Sequence, residues 1–141
     1  MRALLLTLGL LAGLHGVAQA ADRVEAGKRV FTRCLNCHEV GPKARNVFGP
    51  QLNGVLGRQA GTAPGYSYSP AMKASRVVWN ERNLAAFLRD TDDVVPGNKM
   101  RFFGFFSQRQ LDDLMVFLRA NPAVAAAPAR PAAAPASAPR K

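Results

Sequence analysis

Apolar residues recur at three- and four-residue spacing in three stretches of this 141-residue chain, and each stretch predicts an amphipathic helix. In the first, Val24, Gly27, Val30, Phe31 and Cys34 share one face. Gly27 stands in mid-helix, where glycine costs about 1 kcal/mol relative to alanine, so a close helix crossing is expected there. The second starts at Asn80, a residue suited to an N-cap, and turns Leu84, Phe87 and Leu88 inward. The third starts at Ser107, with Gln110 three residues later forming a capping box. Its apolar face is Leu111, Leu114, Met115, Phe117 and Leu118.

The stretch between His38 and Trp79 is different. Glycines 41, 49, 54, 57, 61 and 65 and prolines 42, 50, 64 and 70 punctuate it, which predicts loops with short helical turns rather than a sheet. No alternating strand pattern and no internal repeat is present. The expected fold class is all-α, built on three main helices.

The two ends do not belong to that domain. Residues 1–20 read as a secretory signal peptide: Arg2 is the positive start, Ala3 to Ala12 the apolar core, and Ala18-Gln19-Ala20 a small-residue cleavage site. Cleavage is expected before Ala21, which removes His15 and leaves His38 as the only histidine. The apolar run is short for a bilayer span. At the other end, residues 121–141 are almost all alanine and proline, with prolines at 122, 128, 131, 135 and 139. An extended, largely disordered tail is expected there, a solvated appendage rather than a docking arm. What remains is one domain, residues 21–120. Setting aside Arg2, Arg130, Arg140 and Lys141 leaves 15 basic against 9 acidic residues, a net charge of +6. A basic chain raises nucleic acid as a partner, but export points instead to an acidic face on another protein or to an anionic membrane surface.

The chemistry lies in Cys34-Leu35-Asn36-Cys37-His38. Cys-x-x-Cys-His is the attachment signature of a c-type haem: two thiols for thioether bonds and an adjacent imidazole for the iron. A zinc site lacks ligands, because the expected mature chain has no third cysteine and no second histidine. A thioredoxin-like couple requires a strand before the motif, and here a helical pattern precedes it. One haem c, attached through Cys34 and Cys37, is the expected cofactor. With both thiols so used, no disulfide is expected. His38 would bind iron from one side, and a methionine is the natural ligand for the other. Met115 lies on a packed helix face, Met72 follows a Pro70-Ala71 turn, and Met100 ends the loop Pro96-Gly97-Asn98-Lys99. Spacing favours Met100 and leaves Met72 open.

At this point the chain resembles the class I cytochromes c, of the mitochondrial and bacterial cytochrome c2 type. The resemblance runs from about Gly27 to Leu118. Beyond the haem motif it rests on Gly49-Pro50-Gln51-Leu52-Asn53-Gly54, Gly57-Arg58-Gln59-Ala60-Gly61, Ala63-Pro64-Gly65-Tyr66-Ser67-Tyr68, Trp79, Pro96-Gly97-Asn98-Lys99-Met100 and Phe117. It implies the class I cytochrome c fold, with three helices and loops wrapped around one covalent haem. It implies His38 and Met100 as axial ligands and the Pro50 carbonyl as partner of the His38 ring. Tyr68, Trp79 and Asn98 would face haem propionates, with Arg58 compensating their charge. Gly27 and Phe117 would mark the crossing of the first and last helices. Five positions depart from the family pattern. Phe87 stands for a tyrosine and Met72 for an asparagine near a buried water. Asn98 stands for a threonine, and Asp92 and Asp93 stand where lysines ring the haem edge.

The function these readings predict is a periplasmic single-haem electron carrier, not an enzyme. Lys28, Arg33 and Lys99 would ring its exposed haem edge. Expected partners are redox proteins: a membrane oxidase, a cytochrome bc1-type complex or a periplasmic reductase. Peripheral membrane contact is compatible with the charge, nucleic acid is not expected, and the chain is expected to be a monomer. The rivals are a haem subunit of a larger oxidoreductase and a peroxidase-like haem enzyme. The second requires an open iron position, which Met100, Phe87 and Met72 oppose.

Overall fold

The computed structural model describes residues 18–102, 104 and 106–123. The expected leader up to residue 17 and the tail from residue 124 lie outside the described residues. Five helices follow one another: α1 (residues 18–31), α2 (Pro70–Ala74), α3 (Glu81–Arg89), α4 (Thr91–Val94) and α5 (Gln108–Arg119). Among the described residues the only extended pairing is an isolated bridge between Gln59 and Val78.

The local signals for α3 and α5 act as the sequence predicts. Asn80 accepts from Asn83 N, and the Asn83 side chain accepts from Asn80 N in return. Ser107 and Gln110 make the same reciprocal pair at the start of α5. Each box satisfies N–H groups that a helix leaves without intrahelical partners. The inward faces are those expected, Leu84, Phe87 and Leu88 on α3 and Leu111, Leu114, Met115, Phe117 and Leu118 on α5, with Ala85 of α3 buried beside them. An Arg119–Glu81 ion pair and a 2.7 Å hydrogen bond from Arg89 to Gln108 Oε1 tie the two together.

α1 crosses α5 where glycine permits it. A Cβ at position 27 would run into the carbonyl oxygen of Asp113 and lie 2.6 Å from Phe117 Cβ. Phe31 and Phe117 meet beside this crossing with ring centroids 5.2 Å apart. Asp113 is buried on the same face; Arg23 Nε donates to its Oδ1 at 2.9 Å, and Arg109 Nε lies 3.9 Å from Oδ2. A buried carboxylate left alone would cost several kcal/mol, so these two guanidiniums are what make the position tolerable.

Two short helices lacked a periodic signal. Ser69 caps α2 by accepting from Met72 N, with Pro70 at the first helical position. Asp90 ends α3 and at once caps α4, accepting from Asp92 N and Asp93 N. The folded domain also reaches slightly further than expected: Asn121 O accepts from Gly54 N at 2.8 Å, and Asn121 Nδ2 donates to Phe117 O at 2.8 Å.

The Gly27 crossing gives a signed prediction. At an open helical site Gly→Ala stabilises by roughly 1 kcal/mol. Here the new methyl meets a backbone carbonyl that cannot rotate away, so overpacking at about 1–3 kcal/mol should win. Gly27→Ala is expected to lower the urea midpoint. A midpoint at or above wild type would show that the crossing has room to spare.

Candidate haem-binding site

α1 runs into a 3-10 turn over Thr32–Cys34, and Cys37 N and His38 N both bond back to Cys34 O, at 3.0 and 2.8 Å. This coil brings both thiols and the imidazole to the end of α1. Cys34 and Cys37 are free and partly buried. Burial and the neighbouring Cys37 push the Cys34 thiol up to about 11, with Arg33 opposing. Thiol–disulfide exchange needs a low-pKa thiolate, so the pair is poorly suited to a thioredoxin-like role. Among the described residues no group of three or more His, Cys, Asp or Glu could hold a metal ion.

His38 is held in one orientation. Its Nδ1 lies 2.7 Å from Pro50 O. A carbonyl can only accept, so Nδ1 carries the proton and the lone pair lies on Nε2. Burial lowers the pKa of the ring while the Pro50 carbonyl opposes that shift, and the imidazole is neutral near pH 7, as a metal ligand must be. Gly49 makes this possible. Its N–H bonds Cys37 O at 2.6 Å, and any Cβ there would collide with the imidazole ring. This donor set fits a haem c: a neutral imidazole with a free Nε2, fixed next to two thiols.

The following loops are braced by side chains. Asn53, buried, accepts from Gly41 N and donates to Gly41 O, both at 2.8 Å. Asn46 accepts from Gln51 N at 3.0 Å and donates to Pro64 O at 2.8 Å. Arg58 donates to Asn53 O at 3.0 Å and Gln51 O at 3.2 Å. Arg58 also interacts electrostatically with Tyr68: burial raises the Tyr68 hydroxyl, and the Arg58 charge pulls it back down in part. The phenol therefore stays protonated at neutral pH and able to donate. Trp79 is buried, bonds through its backbone to Arg58 O and Gly57 N, and packs its ring 5.0 Å from Phe87. Arg58 thus lies beside Tyr68 and is joined through its backbone to Trp79.

The Met100 loop begins with a turn: Asn98 N donates to Val95 O at 3.1 Å across Pro96 and Gly97, the latter at φ +79°. Proline followed by glycine at positive φ suits a type II turn. Lys99 Nζ donates to Ser67 O at 3.3 Å, which joins this loop to the segment carrying Tyr68. Met100, Cys34 and Tyr68 all pack against the same apolar core, while Met72 and Met115 are members of that core.

Asn98 departs from its expected place at a propionate. It is only 2% exposed, and its Nδ2 faces three acceptors inside the loop: Thr91 O, Val95 O and Asp92 Oδ1 at 3.0, 3.0 and 3.1 Å. Two protons shared among three acceptors leave no donor for another group. Thr91, Asn53 and Asn46 are bracing residues that the sequence reading did not single out. The one local signal was the Asp-Thr-Asp-Asp run, which reads as a helix start.

Three of the four large apolar side chains exposed among the described residues flank this centre: Leu35, Val47 and Phe48, the last 83% exposed. Phe48 is displayed by a fixed loop, since Tyr66 OH donates to Phe48 O at 2.9 Å and Val47 N to Gly49 O at 3.0 Å.

The cytochrome c family model matches residues 24–122, and the chain belongs to that family. It is 44% identical over 95 residues to cytochrome c-550 of Nitrobacter winogradskyi, covering 67% of this chain and 87% of that one. It is 40% identical over 119 residues to cytochrome c2 of Blastochloris viridis, covering 84% and 93%. Among solved structures, cytochrome c2 of Rhodospirillum centenum superposes with a TM-score of 0.66 at 32% identity, over 71% of this chain and 98% of that one. Cytochrome cH of Methylobacterium extorquens gives 0.64 at 37% identity, over 69% and 97%. The chain therefore has the class I cytochrome c fold, carries one covalent haem c, and is an electron carrier rather than an enzyme.

Covalent attachment predicts that acidified organic solvent will extract no haem from the mature protein. Replacing either Cys34 or Cys37 by alanine should leave a single thioether and shift the ferrous haemochrome band to longer wavelength. Full extraction from wild type would refute attachment through this pair.

Proposed function

We propose that the chain is a periplasmic carrier whose iron sits between His38 and Met100 and exchanges single electrons with redox partner proteins. The observation that carries this reading is the His38–Pro50 hydrogen bond, which fixes the orientation of the ring and leaves Nε2 as the nitrogen to meet the iron. Bound haem supplies an iron that changes by one electron. The residues supply everything around it. His38 is oriented through Gly49 and Pro50, and Met100 offers a thioether, which favours ferrous iron and raises the potential. The apolar core works in the same direction, because the ferric state carries one more positive charge. Arg58, Tyr68 and Trp79 are placed to receive the propionates, with Tyr68 donating and Arg58 compensating charge.

Export with cleavage before Ala21 suits the fold. Residues 18–23 are exposed, and the contact of α1 with α5 begins at Arg23, so a cut before Ala21 falls ahead of that contact. Docking is proposed at the face carrying Leu35, Val47 and Phe48, with basic residues such as Lys43 and Arg45 in the same loop. Arg101 lies 3.5 Å from Asp92 Oδ2 and partly offsets that charge, which leaves Asp93 as the main acidic feature beside the Met100 loop.

Two expected outcomes test this reading. Met100→Ala should abolish the far-red methionine–iron band of the ferric protein, admit carbon monoxide to the ferrous iron, and lower the potential. If Met72→Ala removes the band while Met100→Ala keeps it, Met72 is the ligand. For docking, Asp92→Lys/Asp93→Lys should accelerate reduction of an acidic acceptor protein at low ionic strength, with the gain fading as salt rises. Phe48→Ser should slow the same reaction by a factor that salt leaves unchanged. A salt-independent gain from the lysines would rule out a charge effect.

A further inference from the structure

Met100 lies in no helix, so no ladder of backbone bonds holds it. Both of its backbone polar groups are nevertheless held by side chains. Its N–H donates to Asn98 Oδ1 at 2.8 Å, and its carbonyl accepts from Thr91 Oγ1 at 3.3 Å. The two residues are joined, because Asn98 Nδ2 donates to the backbone carbonyl of Thr91. Both are buried, Asn98 at 2% and Thr91 at 6% exposure. We propose that Thr91 and Asn98 are positioning residues which clamp the backbone of Met100 from both sides and so set how tightly its thioether is held on the iron. The proposal rests on Met100 as the axial ligand.

The physical case is one of replacement. Side-chain rotation alone moves the thioether only locally, and carrying it well clear of the iron moves the segment and breaks both clamping bonds. On an exposed loop water would take over at little net cost. At these two positions burial keeps water out, so each broken bond leaves a desolvated group unpaired. The clamp is anchored at its far end as well. Thr91 is the first residue of α4, whose start is fixed by Asp90, and α4 packs against α3. Displacing Met100 therefore means disturbing the α3–α4 junction. Asn98 also donates to Asp92 Oδ1 and Val95 O, so one buried amide holds the turn and the ligand backbone together.

The test uses the mature holoprotein in its ferric form. At saturating cyanide, the rate of cyanide binding reports how often Met100 leaves the iron. Thr91→Val keeps shape and burial but removes the hydroxyl, and it should raise that limiting rate about fivefold, the scale of one lost buried hydrogen bond. Thr91→Ser keeps the hydroxyl and should stay within about twofold of wild type, given the ordinary scatter of such substitutions. Asn98→Ala should exceed Thr91→Val, and if it does not fold, the Thr91 pair decides alone. Leu114→Ala, in α5 and away from the loop, serves as the comparison for lost stability. It should lower the melting temperature without matching the cyanide acceleration. A Thr91→Val rate equal to wild type would overturn the clamp, as would Leu114→Ala accelerating binding as much at equal loss of stability. Wild type lacking the far-red band would instead remove Met100 as ligand, and the clamp with it, before any variant is compared.

Discussion

Between His38 and Ser69 the backbone has no helix or sheet to satisfy its polar groups, and the rest of the structure depends on how that is solved. Buried N–H and C=O groups have to be paired, and here amide and guanidinium side chains complete what turn and loop bonds along the backbone begin. Asn53 closes on Gly41 through two bonds, Asn46 links Gln51 to Pro64, and Arg58 reaches two carbonyls at once. With loops held this way, a haem can be surrounded by chain that is irregular and still fixed. The same solution recurs around Met100, where Asn98 and Thr91 act in place of a ladder.

In the proposed centre, two kinds of fixation therefore meet. On the histidine side the backbone itself acts: Gly49 lets the chain pass against the ring, and Pro50 offers its carbonyl. On the methionine side the chain is held by side chains drawn from α4 and the turn before it. The difference follows from covalency. His38 adjoins the cysteines that attach the haem, so its place is fixed by bonding and only its orientation remains to be set. Met100 has no covalent tie, and position as well as orientation must come from packing and hydrogen bonds.

Much of this was legible in the sequence, for identifiable reasons. Long helices leave a periodic trace and cap residues punctuate them, so α1, α3 and α5, the N-cap at Asn80 and the box at Ser107 could be read directly. The crossing at Gly27 was legible because glycine in mid-helix is costly without a use. The haem motif was legible because its spacing is fixed by chemistry. What could not be read depends on convergence. Which three acceptors surround the Asn98 amide is decided by the turn at Pro96-Gly97 and by α4, a helix too short to have a period. Phe48 could not be read either: an aromatic next to valine looks like core, and only the placement of Gly49 against His38 turns it outward.

The clasp between α1 and α5 joins Arg23 to Asp113, residues 90 positions apart in the chain. Closing a loop of that length costs about 4 kcal/mol in chain entropy beyond a constant term. Such a long-range closure makes folding slower than the helix content alone suggests. It also makes the domain a ring in effect. A protease that cut the exposed Lys43–Phe48 loop would leave two pieces still gripping each other through the clasp, so a nick there opens a hinge in the ring without dividing the protein.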